Sequence, residues 1–269
     1  MTFKTRHLIG FTAAIMTVFS GLSASAQETL KIGSYPANPP WEFKNEAGEF
    51  EGFEIDIITE IASRLDADLE ISGLDFRALF VATASRRVDA VVSSLTITDE
   101  RLEAQSFTQP YFSGALGFGT KEGSEIDSLV DLAGLKVGSI ATSFPEGWLK
   151  EREDEIGYAS YGSYDSTANM LTDLRNGRID VAVNDIVSLR YAFTQPQLSN
   201  LEVALEVATG DRFAIMMPKD SEKLEAFNDA LTEMKTDGTM ATIYEKWFGV
   251  APAADSLTVT PLPIPTSAN

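Results

Sequence analysis

VSSLTITDERLEAQSFTQPY, residues 92–111, joins a strand end, a hydroxyl-rich turn and a helix start in one stretch. The apolar run before it closes at Val92, and Ser93, Ser94 and Thr96 occupy the loop that follows. Thr98 is placed to cap a helix, with Arg101 three residues inside it. A strand feeding a helix in this way puts the turn at the carboxyl end of a parallel sheet, the edge at which open α/β sheets bind ligands. A planar guanidinium beside hydroxyls and free backbone N–H groups suits a carboxylate, which it can grip bidentately. Taken one at a time, Ser93 and Ser94 also read as an ordinary strand-end turn and Arg101 as one half of a surface ion pair.

Upstream of this stretch the chain alternates strand-like runs with amphipathic segments. LKIGS (residues 30–34) is followed by Ile55, Ile58, Ile61, Ala62 and Leu65 at helical spacing, then by LEIS (69–72), a second helix through Leu79 and Val81, and DAVVSSL (89–95). That βαβαβ order predicts a mainly parallel sheet covered by helices. The pattern restarts after about residue 120, with LKVGSI (135–140), helices around Trp148 and Met170, and IDVAV (179–183). Two glycine-bearing stretches, SGALGFGT (113–120) and ATGDRFA (208–214), bracket the second unit and read as paired crossovers. The last helix stripe, Leu224, Phe227, Leu231 and Met234, ends at Asp237–Gly238 and returns to the first unit. Two lobes joined by a two-strand hinge leave a cleft between them.

Together these segments resemble the polar-amino-acid family of periplasmic solute-binding proteins, the family 3 extracellular substrate-binding components of ABC transporters. The likeness runs from about residue 30 to 249 through PPWEFKNEAGEFEGFEIDI (39–57), LDF (74–76), DLAGLKVGSI (131–140), NGRIDVAVND (176–185) and DGTMATIYEKWFG (237–249). It implies a type II two-lobed periplasmic-binding-protein fold of class α/β, each lobe a mainly parallel sheet flanked by helices. The divisions expected are a signal peptide at 1–26, lobe 1 at 27–116, lobe 2 at 117–210, a return to lobe 1 at 211–249, and a disordered proline-rich tail at 250–269.

The resemblance also assigns site residues. Ser93, Ser94, Thr96 and Arg101 match the turn that grips a ligand α-carboxylate, and Asp185 matches the acid that holds the α-ammonium from the opposite lobe. Asp185 also reads as an N-cap for the helix beginning at Ile186, and both roles are compatible. Phe76 matches an apolar wall, with core packing as its alternative. Trp41 reads equally as a pocket wall or a brace for its loop, and Glu54 and Asp56 as supports for the first helix. In ATSFPEGW (141–148) the family's Gly-Thr-Thr turn is altered, with Thr142 and Phe144 in place of glycine and the second threonine. Ser143 and Glu146 still form a capping box, Pro145 suits the first helical turn, and the N–H groups of Ser143 and Phe144 are expected to face an anion. In SYPANPPWEF (34–43), Tyr35 stands where many relatives carry an acid for cationic side chains, and Asn38 where they stack an aromatic. Either Tyr35 takes over the stacking, or the ligand is not a common basic amino acid; the second is preferred. Glu42, the nearest acid in sequence, reads as a solvated loop residue.

The ends and the composition set the setting. Lys4, Arg6 and His7, an apolar run at residues 8–19 and Ala24–Ser25–Ala26 form a secretory signal, with cleavage expected before Gln27. The run falls short of the ~20 residues that span a bilayer. The chain carries 21 basic and 40 acidic residues, net −19. Losing Lys4 and Arg6 leaves 19 against 40, net −21, a charge that repels nucleic acid and anionic lipid. There is no cysteine, so neither a disulfide nor a lipidated anchor, and the one histidine is His7. Without imidazole or thiol, the Ser-His-Asp and Cys-His mechanisms and the usual zinc sites are excluded. The expectation is a monomeric periplasmic transport receptor, without cofactor, metal or membrane insertion, serving a membrane permease. Its competitor is a cyclohexadienyl-dehydratase-like enzyme on the same fold, which would need Glu42 or Glu146 as a poised acid. A sensory role shares the binding step.

Overall fold

The computed structural model describes residues 1–2 and 27–267; the signal peptide expected at 1–26 lies almost wholly outside the described residues. The first sheet runs Asp68–Gly73, Thr29–Ser34, Ala90–Val92, Met216–Pro218, Gln105–Phe107. Its first three strands are parallel, and Met216–Pro218 is antiparallel to both neighbours. The second sheet runs Ser160–Tyr164, Lys136–Ile140, Val181–Asp185, Leu116–Lys121, Leu201–Val207. It too has three parallel strands followed by antiparallel pairs. The central strands are apolar on successive positions, as AVV at Ala90–Val92 shows, because both faces of each sheet are covered. Ile32, Ile57, Phe53 and Phe227 fill one face of the first sheet and Leu79, Val91 and Phe107 the other. Val137, Trp148 and Val183 do the same for the second sheet against Met170, Leu174 and Ala182.

The crossovers pair as a short antiparallel ribbon, Phe112–Ser113 against Arg212–Phe213. Helices Leu224–Thr236 and Thr239–Phe248 rejoin the first lobe, packing on helix Phe53–Arg64 through Phe227, Leu231 and Met234. The mainly parallel two-lobed fold with a two-strand hinge is therefore present. A small sheet, Ala37–Asn38, Glu42–Lys44 and Phe50–Glu51, is an addition that the alternation of the sequence does not signal. It folds the Pro39–Trp41 turn back onto helix Phe53–Arg64, whose first N–H groups reach the carbonyls of Pro40 and Trp41. Gly52, at φ +141°, allows that approach, since a Cβ there would collide with the Trp41 carbonyl.

The tail corrects an expectation. Residues 250–267 have no regular secondary structure, yet they lie against lobe 1 instead of being disordered. The Thr258 hydroxyl donates to the Tyr111 carbonyl at 3.0 Å, and the Leu262 N–H to Oε1 of Gln109 at 2.9 Å. Lys235 Nζ, buried, donates to the carbonyls of Pro110 and Thr260 at 2.7 and 3.1 Å, with burial pulling its pKa down to about 7. Proline recurrence removes helix and ladder from a sequence but says nothing of single hydrogen bonds to a neighbouring surface.

Candidate functional site

The cleft between the lobes closes on a cavity of about 50 Å³. Lobe 1 contributes Tyr35, Asn38, Phe76, Ser94, Thr96 and Arg101, and lobe 2 contributes Leu116, Ile140, Ser143, Phe144, Pro145, Thr167, Asn184 and Asp185. Asp211 and Phe213 line it from the hinge side. Of the residues singled out in the sequence, Trp41 and Ser93 are not in the wall. Both are buried one layer behind it, for reasons given below.

Thr98 accepts the Arg101 N–H at 3.2 Å and starts helix Asp99–Ala104, so Arg101 leaves the first turn facing the cleft. Its guanidinium is spread between the lobes. Nη1 donates to the Thr96 carbonyl at 2.8 Å, Nη2 to the Thr142 carbonyl of lobe 2 at 3.1 Å, and the group lies 5.0 Å over the Phe80 ring. No carboxylate pairs with it among the described residues. Burial pulls its pKa down to about 10, which leaves it charged at neutral pH.

Asp185 closes strand Val181–Asp185 and caps helix Ile186–Phe193. Oδ1 accepts the Ser188 N–H at 2.9 Å and Nε1–H of Trp41 at 2.9 Å, and lies 3.2 Å from the Ser188 hydroxyl. Oδ2 is buried and has no partner. Burial pushes the Asp185 pKa up to about 6, and the neighbouring Asp211 carboxylate adds to the rise. Trp41 thus reaches across the cleft as a brace for the acid; packed edge-on to Phe53, Phe112 and Phe213, it is not a pocket wall. A further inter-lobe link is the Ser188 hydroxyl, which donates to Oδ1 of Asn38 at 2.8 Å.

Asn38 in turn donates to the Ser94 hydroxyl at 3.0 Å and to Oε1 of Glu42 at 3.1 Å. Ser93 turns its hydroxyl away from the cavity to the same Glu42 oxygen at 2.9 Å, and so drops out of the wall. Glu42 is fully buried, which corrects its reading as a solvated loop residue: the small sheet carries it inward under the turn. Glu54 accepts the Ser94 N–H on both oxygens at 3.0 and 2.9 Å and also accepts the Tyr111 hydroxyl. That anchoring holds Ser94 in a left-handed conformation, φ +42°.

On lobe 2 the Ser143 hydroxyl accepts the Glu146 N–H at 3.3 Å, as a helix cap should. The reciprocal contact slips by one residue: Glu146 Oε2 takes the Thr142 N–H at 2.6 Å. Ser143 N–H donates to the Ile140 carbonyl at 3.2 Å and its hydroxyl to the same carbonyl at 2.6 Å, so it is not the free donor expected for an anion. Thr142 itself sits at φ +64°, the conformation for which a glycine at this position would be suited. Phe144 and Phe76 both line the cavity. Tyr35 faces Thr167 across the cleft, and burial raises the pKa of its phenol.

Asp211 is the one charged lining residue that the sequence did not disclose, alongside Leu116, Ile140, Thr167, Asn184 and Phe213. It accepts the Thr209 hydroxyl at 2.5 Å, and its carboxylate fills the space where a Cβ on Gly114 would go. Gly114 and Asp211 pair across the hinge, and that glycine opposite an acid was the one signal available. Neither acid named by the dehydratase reading lines the cavity. Glu42 lies beneath the turn. At Glu146 the effect of burial is outweighed by the Thr142 N–H, Ser163, Lys150 and Tyr161, which keep the carboxyl below the usual range.

The sequence matches the profile of the bacterial extracellular solute-binding proteins, family 3, over residues 30–156 and 148–250. The L-cystine-binding protein TcyJ of Escherichia coli (strain K12) is 30% identical over 225 residues, covering 82% of this chain and 83% of that protein. The L-arginine-binding protein of Pseudomonas aeruginosa is 30% identical over 258 residues, covering 91% and 96%. Among solved structures, an ancestral arginine-binding protein bound to arginine superposes with a TM-score of 0.79 at 35% identity, covering 83% of this chain and 99% of the other. These relatives are binding proteins. No helix of the described residues is long and apolar enough to cross a membrane. The chain belongs to the bacterial extracellular solute-binding proteins, family 3.

Proposed function

We propose that this protein is the periplasmic receptor of an ABC importer and that it closes its lobes on the zwitterionic head of an amino acid. The observation that carries the reading is Asp185 Oδ2, a buried carboxylate oxygen left without a donor in the same cavity as an unpaired guanidinium. A buried polar atom without a partner is costly, and an α-ammonium placed there would supply the missing hydrogen bond. Arg101 would exchange its carbonyl contact on lobe 2 for the ligand carboxylate, which Ser94 and Thr96 flank. Because one charge comes from each lobe, only the closed state uses both, so the ligand favours closure by that difference in affinity.

The wall between these poles is Phe76, Phe144, Leu116, Ile140 and Pro145, and the acids among the lining residues are Asp185 and Asp211, adjacent to each other. A ligand with an uncharged side chain fits that distribution better than arginine does. Export through the leader at 1–26, cleavage before Gln27, life as a monomer and delivery to a membrane permease complete the proposal, with binding and not turnover as the activity. Thermal-shift screening of the mature chain against the common amino acids, opine-like conjugates and betaines tests it. A rise in melting temperature for uncharged α-amino acids supports the reading. Stabilisation by arginine and lysine alone would overturn the side-chain assignment, and no response to any α-amino acid would overturn the ligand class.

A further inference from the structure

Two glutamates meet beneath the binding turn where no cation reaches them. Glu42 arrives on strand Glu42–Lys44 and Glu54 in the first turn of helix Phe53–Arg64, and both are fully buried. They take hydrogen bonds from adjacent residues of one turn, Glu42 from the Ser93 hydroxyl and Glu54 from the Ser94 N–H, which makes the two carboxyl groups neighbours. Glu54 has donors on both oxygens, from Ser94 N–H, and a further one from the Tyr111 hydroxyl. Glu42 receives Ser93 and Asn38 on Oε1, while Oε2 receives nothing. All these donors are neutral. The other titratable groups facing the pair are Tyr111 and Tyr35, with Asp185 beyond Asn38 and Ser188; none is a cation, and no ion pair among the described residues involves either glutamate.

Two neighbouring carboxylates, both out of water and with no counter-ion, cannot both stay ionised. The donor pattern says which one keeps the proton. Glu54, already holding the Ser94 N–H across both oxygens and the Tyr111 O–H on Oε1, is the anion; Glu42 Oε2, the oxygen with no donor, is where a proton would sit and be passed toward Glu54. Burial and the adjacent Glu54 push the Glu42 pKa well above the usual range, whereas at Glu54 the rise from burial is tempered by hydrogen bonds from Glu42, Tyr111 and Ser94.

We propose that Glu42 and Glu54 hold one proton between them and that this acid–carboxylate pair is the positioning element of the Ser93–Thr96 turn. The positioning role rests on the reading of that turn as part of the binding site; the shared proton does not. Through Glu54 the pair fixes the left-handed Ser94, and through Glu42 it orients Asn38, which bridges to Ser188 on the opposite lobe. When the proton leaves, two neighbouring like charges push the strand and the helix apart, and the turn loses its anchor.

The test needs no ligand, so its failure is separate from any failure of the amino-acid reading. For an acid whose folded pKa is raised, the stability it contributes is present below the unfolded value and is lost as pH rises through the folded one. Wild-type apo protein should therefore melt progressively lower as pH climbs from about 5 to about 8. Glu42→Gln supplies a permanent amide donor to Glu54 and should remove that part of the slope, melting about 2–4 °C above wild type at the alkaline end. At about pH 8, where Asp185 is ionised, the infrared spectrum of the wild type should still show a protonated-carboxyl C=O band that Glu42→Gln lacks. The Ser94 amide resonance should move with the pair's titration in the wild type and stay fixed in the variant. Parallel melting profiles, or no carboxylic-acid band in the wild type, would overturn the shared proton, and the infrared result decides even if the variant fails to fold. A Ser94 resonance indifferent to the titration would overturn the positioning role.

Discussion

The two poles of the cleft are prepared in opposite ways. At the Arg101 pole every contact is provisional: the guanidinium is lent to two backbone carbonyls, one on each lobe, and stacked on Phe80. At the Asp185 pole the carboxylate is fixed on one oxygen by two N–H donors and idle on the other. A mobile, always-charged cation can trade a carbonyl for a ligand carboxylate at little cost, whereas an acid held by a helix cap and an indole cannot move to its partner. Under the proposed reading the ligand comes to Asp185, while Arg101 adjusts to the ligand.

The largest effect that tests this contrast is Arg101→Ala. Removing the only cation among the described lining residues should weaken binding of a stabilising amino acid by about 2–5 kcal/mol, read by calorimetry, with little change in the melting of the unliganded protein. An equal loss of apo stability would make Arg101 a lobe clasp and not a ligand group.

Asp185→Asn comes next, at about 100-fold in affinity. The amide oxygen can still cap the helix, so the fold should persist. Because the folded pKa of Asp185 is raised to about 6, wild-type stability from this group is present below the ordinary aspartate value and lost as pH rises toward about 6. The Asp185→Asn variant should flatten that segment of the profile. Ligand affinity runs the other way in the wild type, falling as pH drops through about 6, since the neutral acid cannot hold an ammonium. Affinity independent of pH across that window would break the contrast between the poles.

Trp41→Phe removes one of the two N–H donors on Oδ1 and keeps most of the ring packing. Binding should weaken by ~1 kcal/mol, with a further rise in the Asp185 pKa visible in the pH profile. The smallest effect on binding is expected far from both poles: ending the chain after Gly249 removes the Thr258, Thr260 and Leu262 contacts. Melting should fall by a few degrees while affinity stays unchanged. A changed affinity would mean that the tail, anchored beside Tyr111 and the hinge, also biases closure.

The contrast also explains what the sequence could disclose. Arg101 was legible from a local pattern, a strand end feeding a capped helix start, whereas for Asp185 the local pattern gave only a helix cap and its place opposite Arg101 came from the family resemblance. The lobes were legible from repeated strand–helix alternation. Trp41, Glu42 and Asp211 were not, because their roles depend on contacts far apart in the chain, such as the Trp41–Asp185 bond across 144 positions. Glu42 looked solvated because it is a carboxylate in a proline-rich loop segment, and only the small sheet turns it inward. Ser143 was misjudged as a free donor because the distance from a cap to the preceding strand carbonyl is set by the left-handed Thr142, which a propensity argument does not foresee.

The central claim is a two-charge clamp, and matched analogues of one ligand test it most directly. Calorimetry of the wild type at about pH 7.5, where Asp185 is ionised, would compare the best-stabilising amino acid with its deaminated acid and its decarboxylated amine. The clamp predicts that each analogue loses at least about 100-fold in affinity, and that the deaminated acid is no weaker against Asp185→Asn than against the wild type. A deaminated acid that binds the wild type as tightly as the parent amino acid would contradict it.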